Sequence, residues 1–514
     1  MTKTLRLLPF TYADSVVQLA GTRAMYVVDG VEWAAAAMAT RANVSTLADE
    51  GFDTSDLDSA GANDLFLAVR ANSDAAANAA FDAAQNAMFS SRPTDADADA
   101  GAAPAPRTLR GALDLQAGTN VAVISVPGDY APLEAHKALS AGMHVLLFSD
   151  NVSIEDEIEL KDRARSLGRL MMGPGAGTAM LGDVGLGFAN VVKPGRVAVV
   201  AAAGTGAQEA MSLLDRWGDG AACVIGLGGR DLTAKIDGRM ARLAVHSLTR
   251  RDDIDAILLV SKPPADDVAR AVVAAAGDKP FVGAYVGTTA GFDLPSTAHV
   301  AATLEAGVLE TLRLLGRDVP DVVGDLDVQV AKAIDRLGDE RTLVRGLYSG
   351  GTLCYEALTI LGEILGPVYS NTPLDKKLAV PAPDGSHVCL DLGEEEYTKG
   401  RPHPMIDPRA RIDLLREQGT EPDVAAILLD VVIGKGAHAD PAGQLATVCD
   451  EIHRCGGPQV VAYVLGTAQD PQGLERQRRA LEDAGCIVPQ TAARAALAAA
   501  ALATRDPQLT RREL

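Results

Sequence analysis

Six short apolar runs between residues 120 and 286 set the strongest limit on what this chain can fold into. Each run is rich in Val, Ile, Leu or Ala, and each is followed by a turn with Gly or Pro and then by a helical pattern. The runs are residues 120–126, 144–149, 196–202, 221–227, 255–261 and 280–286. Runs that are apolar on both faces indicate strands covered by helices on both sides. The alternation of strand and helix predicts an α/β fold with parallel sheets.

The length and the charge of the chain limit the domain number and the partners. A chain of 514 residues is expected to form three or four domains. The net charge of −21 argues against nucleic acid and anionic membranes as partners, because both attract basic surfaces. A small anionic substrate remains compatible, since helix N-termini and a few cations suffice to bind it. Because no apolar run reaches the roughly 20 residues that span a bilayer and the N-terminus lacks a signal-peptide pattern, we expect a cytoplasmic protein.

The cysteines do not form a pattern typical of a metal site or of a disulfide framework. They are Cys223, Cys354, Cys389, Cys449, Cys455 and Cys486. Their scattered spacing, without a C-x-x-C pair, is typical of buried reduced thiols. We therefore predict no metal site.

Changes in pattern divide the chain into segments. Residues 1–89 alternate strand-like and helix-like stretches and predict a small α+β module of ferredoxin-like type. Residues 90–118 are rich in Pro, Asp, Ala and Gly and predict a flexible linker. A charged helical connector is expected at 319–344, and residues 504–514 are expected to be frayed.

A small-residue turn follows the strand predicted at 196–202. Ala203-Gly204-Thr205-Gly206 stands between that strand and a predicted helix. Such a junction directs free backbone N–H groups and the positive end of the helix at one point. Glycine lets an anion approach the backbone, and Thr205 adds a hydroxyl donor. Many α/β folds have a similar turn for packing reasons, so the binding and packing interpretations both stay open.

The chain repeats this arrangement later. Ser349-Gly350-Gly351-Thr352 precedes another predicted helix, and both helices carry a glutamate at the same offset, Glu209 and Glu356. We predict a phosphate-binding loop at each position. The residues concerned are Gly204, Thr205, Gly206, Gly350, Gly351 and Thr352. The glutamates have a purely structural alternative, which is to cap their own helices.

A proline-stiffened stretch around residue 403 supplies the candidate catalytic groups. Arg401, His403 and Asp407 bring a cation, an imidazole and a carboxylate into one short segment. Asp407 before Pro408 also matches a helix N-cap, which is the structural alternative for this aspartate. A rigid Arg-Pro-His-Pro segment has no equally good structural reason, so we predict catalytic roles for Arg401 and His403.

Five further residues are candidates because they lie at or after predicted strands. Arg230 and Lys262 each follow a strand of the central region. Asp430 lies on a later strand, and Lys435 and His438 follow it. Binding sites of α/β proteins form at the carboxyl ends of strands. A solvated loop residue is the alternative for Arg230 and Lys262.

Residues 171–210 resemble the alpha subunit of succinyl-CoA synthetase. A Gly-Pro strand end, a Lys-Pro-Gly turn, a strand and a glycine loop follow one another in the same order. The strongest likeness is to FdrA-type proteins and extends nearly end to end. It includes VRANS, FSDNVSIEDEIELK, GLGGRDL, VSKPPA, GLYSGGTL, YTKGRPHPMIDP and LLDVVIGKGAHADP. The resemblance implies successive Rossmann-like and flavodoxin-like domains of the succinyl-CoA synthetase type. They are a partial CoA-binding-like domain at 119–193, a ligase-like domain at 194–318 and a second ligase-like region at 345–505.

The chain departs from the families that it resembles in four features, three relative to succinyl-CoA synthetases and one relative to FdrA-type proteins. Succinyl-CoA synthetases carry phosphate on a histidine in a Gly-His-Ala-Gly-Ala loop, whereas residues 284–302 here contain no such loop and place His299 in an unrelated context. The N-terminal glycine loop that grips CoA and an ATP-grasp domain also have no counterpart. In addition, GPGAGT stands where FdrA-type proteins have Asp-Cys.

The FdrA resemblance implies a carbamoyltransferase subunit. Its reaction would be phosphorolysis of an oxalurate-like ureido acid to oxamate and carbamoyl phosphate in purine or allantoin catabolism. The glycine loops would hold phosphate, Arg401 would stabilise negative charge and His403 would move a proton. The substrate would contact Arg230, Lys262, Asp407 and His438.

No cofactor is expected beyond phosphate or carbamoyl phosphate as substrate or product, and other subunits and self-association are expected to complete the enzyme. Two alternatives remain. One is an NDP-forming acyl-CoA synthetase subunit, and the other is a non-catalytic regulatory or scaffold subunit.

Overall fold

The computed structural model divides the protein into two compact units. They consist of residues 1–107 with 395–402, and of residues 108–394 with 403–514. The described residues are 2–13, 15–61, 64–89, 106, 108–288, 294–398 and 402–514. Arg401 and most of the predicted linker, at 90–105 and 107, therefore lie outside the described residues.

The first unit is a small α+β module built on an antiparallel sheet. Its elements are β1 (Thr2–Leu8), α1 (Ser15–Tyr26), β2 (Val31–Met38), α2 (Arg41–Asp49), a 3₁₀ turn (Ser55–Leu57), β3 (Leu65–Ala71), α3 (Asp74–Phe89) and, from the later segment, α13 (Glu395–Thr398). The strand order is β1-β3-β2, with β3 antiparallel to both neighbours. Helices α1 and α3 cover one face of the sheet, and α2 covers the other.

The second unit begins with a small parallel sheet. Its elements are α4 (Leu109–Leu115), β4 (Val121–Ile124), α5 (Ala131–Ser140), β5 (His144–Leu147), α6 (Ile154–Ser166) and β6 (Met171–Met172). The order β4-β5-β6 is parallel throughout. Helix α4 lies inside the segment for which we predicted a flexible linker, so the structure differs from that prediction. Thr108 caps this helix by accepting a hydrogen bond from the Gly111 N–H.

A larger sheet follows. Its elements are β7 (Thr178–Leu181), β8 (Val184–Gly187), β9 (Pro194–Ala201), α7 (Gly204–Arg216), β10 (Ala221–Gly226), α8 (Arg239–Thr249), β11 (Ala256–Ser261), α9 (Asp266–Ala276), β12 (Phe281–Tyr285), β13 (Ala298–Ala301), α10 (Leu304–Leu314) and α11 (Leu326–Ile334). The strand order is β13-β12-β11-β9-β10-β7-β8. Strands β9 to β13 are parallel. The antiparallel hairpin β7-β8 joins this sheet, although the sequence suggested that residues up to 193 belong to the preceding domain.

A second parallel sheet forms the C-terminal region. Its elements are β14 (Leu343–Tyr348), α12 (Gly351–Leu365), β15 (Val368–Tyr369), a 3₁₀ turn (Lys376–Leu378), β16 (His387–Asp391), α14 (Arg409–Gln418), β17 (Val424–Val432), α15 (Pro441–Arg454), β18 (Gln459–Leu465), α16 (Leu474–Asp483), α17 (Ala492–Thr504) and a 3₁₀ turn (Pro507–Arg511). The order is β15-β16-β14-β17-β18, parallel throughout. The fold class is therefore α/β with parallel sheets and a small α+β module, as the sequence predicted.

The two larger sheets share one hydrophobic core, and this core positions the functional loops. Helices α7, α10, α12 and α17 contribute buried residues to it. Helix α17 is buried along nearly its whole length, and its alanines let it pack closely on α12 and β17. The expectation of a frayed C-terminus was wrong, because Thr510 is fully buried and its carbonyl accepts a hydrogen bond from Arg494. Of the helices that the structure describes, none is long and apolar enough to cross a membrane.

Candidate functional site

Helices α7 and α12 begin at the same place in the molecule. Each follows a parallel strand, β9 or β14, at its carboxyl end. The Thr352 N–H, in the first turn of α12, donates a hydrogen bond to the Thr205 hydroxyl of α7 at 3.3 Å. The two predicted phosphate loops therefore meet, with their positive helix ends directed toward one region.

Glycine is required for the two loops to approach this closely. A Cβ at Gly350 would lie 2.8 Å from Thr205 Cγ2, and one at Gly206 would lie 3.0 Å from Thr352 Cγ2. Both distances are shorter than carbon–carbon contact allows. Gly204 is exposed and Thr205 is half-buried, so the α7 side of the junction is accessible to solvent.

Asp430, in β17, holds the loop before α12 in place through hydrogen bonds. Its carboxylate accepts hydrogen bonds from the Ser349 N–H at 2.7 Å, the Ser349 hydroxyl at 2.9 Å and the Gly350 N–H at 2.7 Å. Buried Arg411 pairs with the same carboxylate at 2.9 Å. The Gly350 N–H is therefore already used, as is the Thr352 N–H, so any anion at this loop relies on the positive end of α12 as a whole.

Asp391 stands beside the beginning of α12. It ends β16 and is buried, and Asn371 fixes its backbone by accepting from its N–H and donating to its carbonyl. The Gly393 N–H donates to its carboxylate at 3.0 Å. A Cβ at Gly351 would lie only 2.5 Å from Asp391 Oδ2, so the carboxyl group borders the helix end. Burial raises the pKa of Asp391 to about 6, which brings its titration close to neutral pH.

His403 lies next to Asp391. Its Nδ1 accepts a hydrogen bond from the Met405 N–H at 3.3 Å, which leaves the proton on Nε2. A Cβ at Gly393 would lie 2.7 Å from this Nε2 and 3.1 Å from Asp391 Oδ1, so both groups border one small space. Loss of solvent lowers the pKa of His403 to about 4, an effect that Asp430 opposes and Arg411 reinforces. At neutral pH this imidazole is uncharged and serves as a hydrogen-bond donor through Nε2.

Lys262 provides an exposed cation at the same junction. It follows β11, and its ammonium lies 4.7 Å from the centre of the Tyr355 ring in the first turns of α12. Its charge also acts to lower the pKa of Asp391, against the larger effect of burial. The site therefore combines two helix ends, one carboxyl group, one neutral imidazole and one ammonium group.

The other predicted site residues that the structure describes have partners of their own. Arg230 pairs with buried Glu157 at 2.8 Å and donates to the Val152 carbonyl. Asp407 pairs with Arg409 of its own segment. The imidazole of His438 accepts from the Asp440 N–H at 3.0 Å. The substrate-binding roles of Arg230, Asp407 and His438 remain predictions. Arg401 lies outside the described residues, and its catalytic role also remains a prediction.

The two glutamates that we considered as helix caps point to other elements instead. Glu209 accepts a hydrogen bond from the Tyr463 hydroxyl at 2.6 Å, and burial raises its pKa to about 7. Glu356 accepts from the Leu304 N–H at the start of α10, and burial raises its pKa to about 8. They connect α7 and α12 to the shared core and do not cap their own helices.

Sequence reasoning did not identify Asp391, although a signal was present. The residue closes a predicted strand and precedes Leu392-Gly393, and acids at the carboxyl ends of parallel strands are frequent site residues. Asp391 belongs to the site because it lies close to Gly351 in space. Gly351 lies 40 positions earlier in the chain, so local sequence pattern cannot reveal this proximity.

Two parts of the chain match models of known protein families. The CoA-ligase model matches residues 347–502. A model described as the AllF, heavy metal-associated domain matches residues 1–105. The first match contains the α12 loop, Asp391 and His403.

Comparison with individual proteins gives relatives of this chain. The uncharacterized protein YahF of Escherichia coli (strain K12) is 37% identical over 506 residues, which are 96% of each chain. The succinate–CoA ligase [ADP-forming] subunit alpha 2 of Archaeoglobus fulgidus is 28% identical over 198 residues, 38% of this chain and 67% of that protein. Among solved structures, the dinucleotide-forming acetyl-coenzyme A synthetase 1 of Ca. Korarchaeum cryptofilum matches 76% of this chain and 84% of its own, with 15% identity and a TM-score of 0.26.

The residues of the first unit do not fit a heavy metal. Residues 1–107 contain neither cysteine nor histidine. Soft and borderline metals are held mainly by thiolate and imidazole ligands, and this segment provides neither. We therefore assign no chemistry to a metal in this module.

Proposed function

Because this chain belongs to the protein family of Escherichia coli YahF, among the relatives of acyl-CoA synthetases, we propose that it transfers acyl groups to or from phosphate. The substrate would be an acyl phosphate bound where α7 and α12 begin. The observation that carries the proposal is the hydrogen bond between Thr352 and Thr205. It brings two helix N-termini together, and helix N-termini favour phosphate groups.

The surrounding groups suit transfer of the acyl group. The acceptor attacks the acyl carbon, the bond from that carbon to the phosphate oxygen breaks, and phosphate leaves. With a pKa of about 6, Asp391 is ionised often enough at neutral pH to take the proton of the acceptor. The Nε2–H of His403 would donate to the oxygen on which negative charge develops. Lys262 adds positive charge at the exposed side of the junction.

Coenzyme A is the acceptor that the succinate–CoA ligase relatives suggest, and it would act as a substrate. In this chain the turn after β4 contains Gly128, whose Cβ would lie 2.4 Å from the Asp150 carbonyl. The glycine therefore serves the packing of two neighbouring turns. This packing explains Gly128 without a bound CoA. The acyl acceptor is therefore identified by the ligand experiments described below.

A second candidate function is transfer of a carbamoyl group between phosphate and oxamate. The observation that favours it lies in residues 284–298, which contain no histidine. His299, the next residue, pairs with Glu310 at 2.9 Å. Carbamoyl phosphate is itself an acyl phosphate and requires no phosphohistidine, so direct transfer would suit this stretch.

Thermal unfolding with acetyl phosphate, carbamoyl phosphate, phosphate and CoA tests the proposal. A ligand at 100 times its dissociation constant adds about 2.7 kcal/mol to the stability of the folded state. We expect stabilisation by an acyl phosphate in the wild type and much less in Thr205→Val, which keeps the shape of the side chain but removes the hydroxyl.

Thr359→Val is the matched control, because the Thr359 hydroxyl donates to the Tyr355 carbonyl of the same helix. Equal stabilisation of all three proteins, or stabilisation of the wild type by CoA alone, would contradict acyl phosphate binding at this junction. Consumption of the acyl phosphate with CoA or with oxamate then distinguishes the two candidate functions.

A further inference from the structure

A second cluster of cations lies at the opposite end of α7. A groove of about 460 Å³ is lined there by residues from three parts of the second unit. Lys193 precedes β9, Arg216 ends α7 and Arg478 lies in α16. Helix α7 has 13 residues, so at 1.5 Å per residue this groove is about 20 Å from the junction with Thr205. The groove is therefore separate from the proposed acyl phosphate site.

Uncharged hydrogen-bond partners orient the two arginines. Arg216 donates to the Gln490 carbonyl at 2.7 Å and to the Tyr463 hydroxyl at 3.3 Å. Arg478 donates to the carbonyls of Val488 at 2.9 Å and Pro489 at 3.2 Å. Carbonyl and hydroxyl partners fix the planes of both guanidinium groups and leave their positive charge in place.

Like charges are thus held close together. Burial lowers the pKa of Arg478, and the charge of Arg216 adds to this effect, while Glu482 and Glu475 oppose it. Keeping two cations in proximity costs free energy unless an anion approaches them. The guanidinium group is also well suited to phosphate, because its fork of donors matches the oxygens of a phosphate group.

Acidic residues offset part of this positive charge. Asp215 lines the groove but is buried, and its carboxylate accepts from the Lys193 backbone N–H at 2.7 Å, which directs it into the turn. Glu475 lines the groove and is exposed. Glu482 pairs with Arg478 at 3.7 Å, longer than a normal hydrogen bond.

We propose that this groove binds a phosphate-bearing anion with two or more phosphate groups, either free or as part of a nucleotide. Its volume lies within the roughly 300–1,000 Å³ of small-molecule sites. Lys193 is exposed at its entrance and the two arginines lie half-buried within it. A diphosphate spans several cations at once, whereas a single phosphate reaches fewer of them.

Calorimetric titration of the full chain with pyrophosphate, ADP and inorganic phosphate tests this site. We expect pyrophosphate to bind the wild type, and Arg478→Gln and Lys193→Gln each to weaken binding about tenfold or more, because each removes a charge-assisted contact. Arg479→Gln is the matched control, since Arg479 is the next residue of α16, is exposed and does not line the groove.

The outcomes separate the sources of the ligand and the two sites. Displacement of pyrophosphate by ADP assigns the groove to a nucleotide, and lack of displacement assigns it to a free diphosphate. Thr205→Val should bind pyrophosphate like the wild type. Absence of pyrophosphate binding, or equal weakening by Arg479→Gln, would overturn the proposal. Lys193→Gln decides the case even if Arg478→Gln fails to fold, because the Lys193 side chain is exposed.

Discussion

At the scale of single residues, the junction depends on a buried charge that is fully paired. Asp430 is inaccessible to solvent and accepts from Ser349, Gly350 and Arg411. A buried carboxylate is tolerated only when such partners offset the loss of water. The loop before α12 therefore owes its shape to a residue on another strand.

Replacing Arg411 tests how far the folded protein depends on this buried ion pair. Arg411→Met leaves Asp430 without its counter-charge, and we expect a loss of about 3–5 kcal/mol in the free energy of unfolding, measured by denaturant titration. Arg416→Met on the same helix is the control, because Arg416 is exposed and such changes usually stay within about 0.5 kcal/mol. Similar losses in both variants would refute the role of the buried pair.

The buried carboxyl group of Asp391 predicts a dependence on pH. Its pKa of about 6 exceeds the ordinary value of 3.8, so between these values the folded protein retains a proton that the unfolded chain releases. Stability from this group is greatest below the lower value and falls as pH rises through the higher one. Asp391→Asn removes the ionisable group, and with it the free-energy cost of holding a charged carboxylate in this buried position at high pH.

We therefore expect Asp391→Asn to be more stable than the wild type at pH 8, by up to about 3 kcal/mol, with the difference shrinking toward pH 4. Unfolding by urea at a series of pH values measures it. A constant difference at every pH would show that Asp391 is not held in an unfavourable charged state.

At the scale of elements, the site is the meeting of α7 and α12. Each helix begins at a small-residue loop, and the sequence identified both loops because glycines after a strand are a local signal. Their contact is not local, since Thr205 and Thr352 are 147 positions apart. For the same reason, local pattern did not reveal Asp391, and it could not show that Arg230 pairs with Glu157.

Two glycines of α12 should respond in opposite ways to alanine. A Cβ at Gly362 meets nothing within 4 Å, so Gly362→Ala should stabilise the protein by about 0.5–1 kcal/mol through the higher helix propensity of alanine. A Cβ at Gly351 meets Asp391 at 2.5 Å, so Gly351→Ala should cost about 1–3 kcal/mol. Denaturant midpoints measure both. A gain in stability for Gly351→Ala would contradict the close contact.

At the scale of the whole molecule, the second unit is held together by the core that its two larger sheets share. Most strands were predictable because buried parallel strands are continuous apolar runs. The hairpin β7-β8 was not, because it is short and contains four glycines between Gly177 and Gly187. The packed C-terminus was also missed, since its polar sequence hides the contacts of Thr510 and Arg512 with Arg494.

Truncation tests that C-terminal packing. Removal of residues 507–514 takes away two carbonyl partners of buried Arg494, which also pairs with Glu305. Because hydrogen bonds to charged groups contribute about 1.5–3 kcal/mol each, we expect a loss of at least about 2 kcal/mol by thermal unfolding. Glu513→Gln, at an exposed position, should leave the midpoint unchanged. An unchanged midpoint after truncation would show that the C-terminal residues do not stabilise the fold.

The central claim is that an acyl phosphate binds where α7 and α12 begin. Equilibrium titration of acetyl phosphate into the wild type, Gly351→Ala and Gly362→Ala tests it most directly, because the two variants change the same helix and only one Cβ enters the junction. We predict saturable binding to the wild type and to Gly362→Ala, and binding at least about tenfold weaker, or about 1.4 kcal/mol, to Gly351→Ala. Equal affinity of the three proteins, or absence of binding to the wild type, would contradict the account.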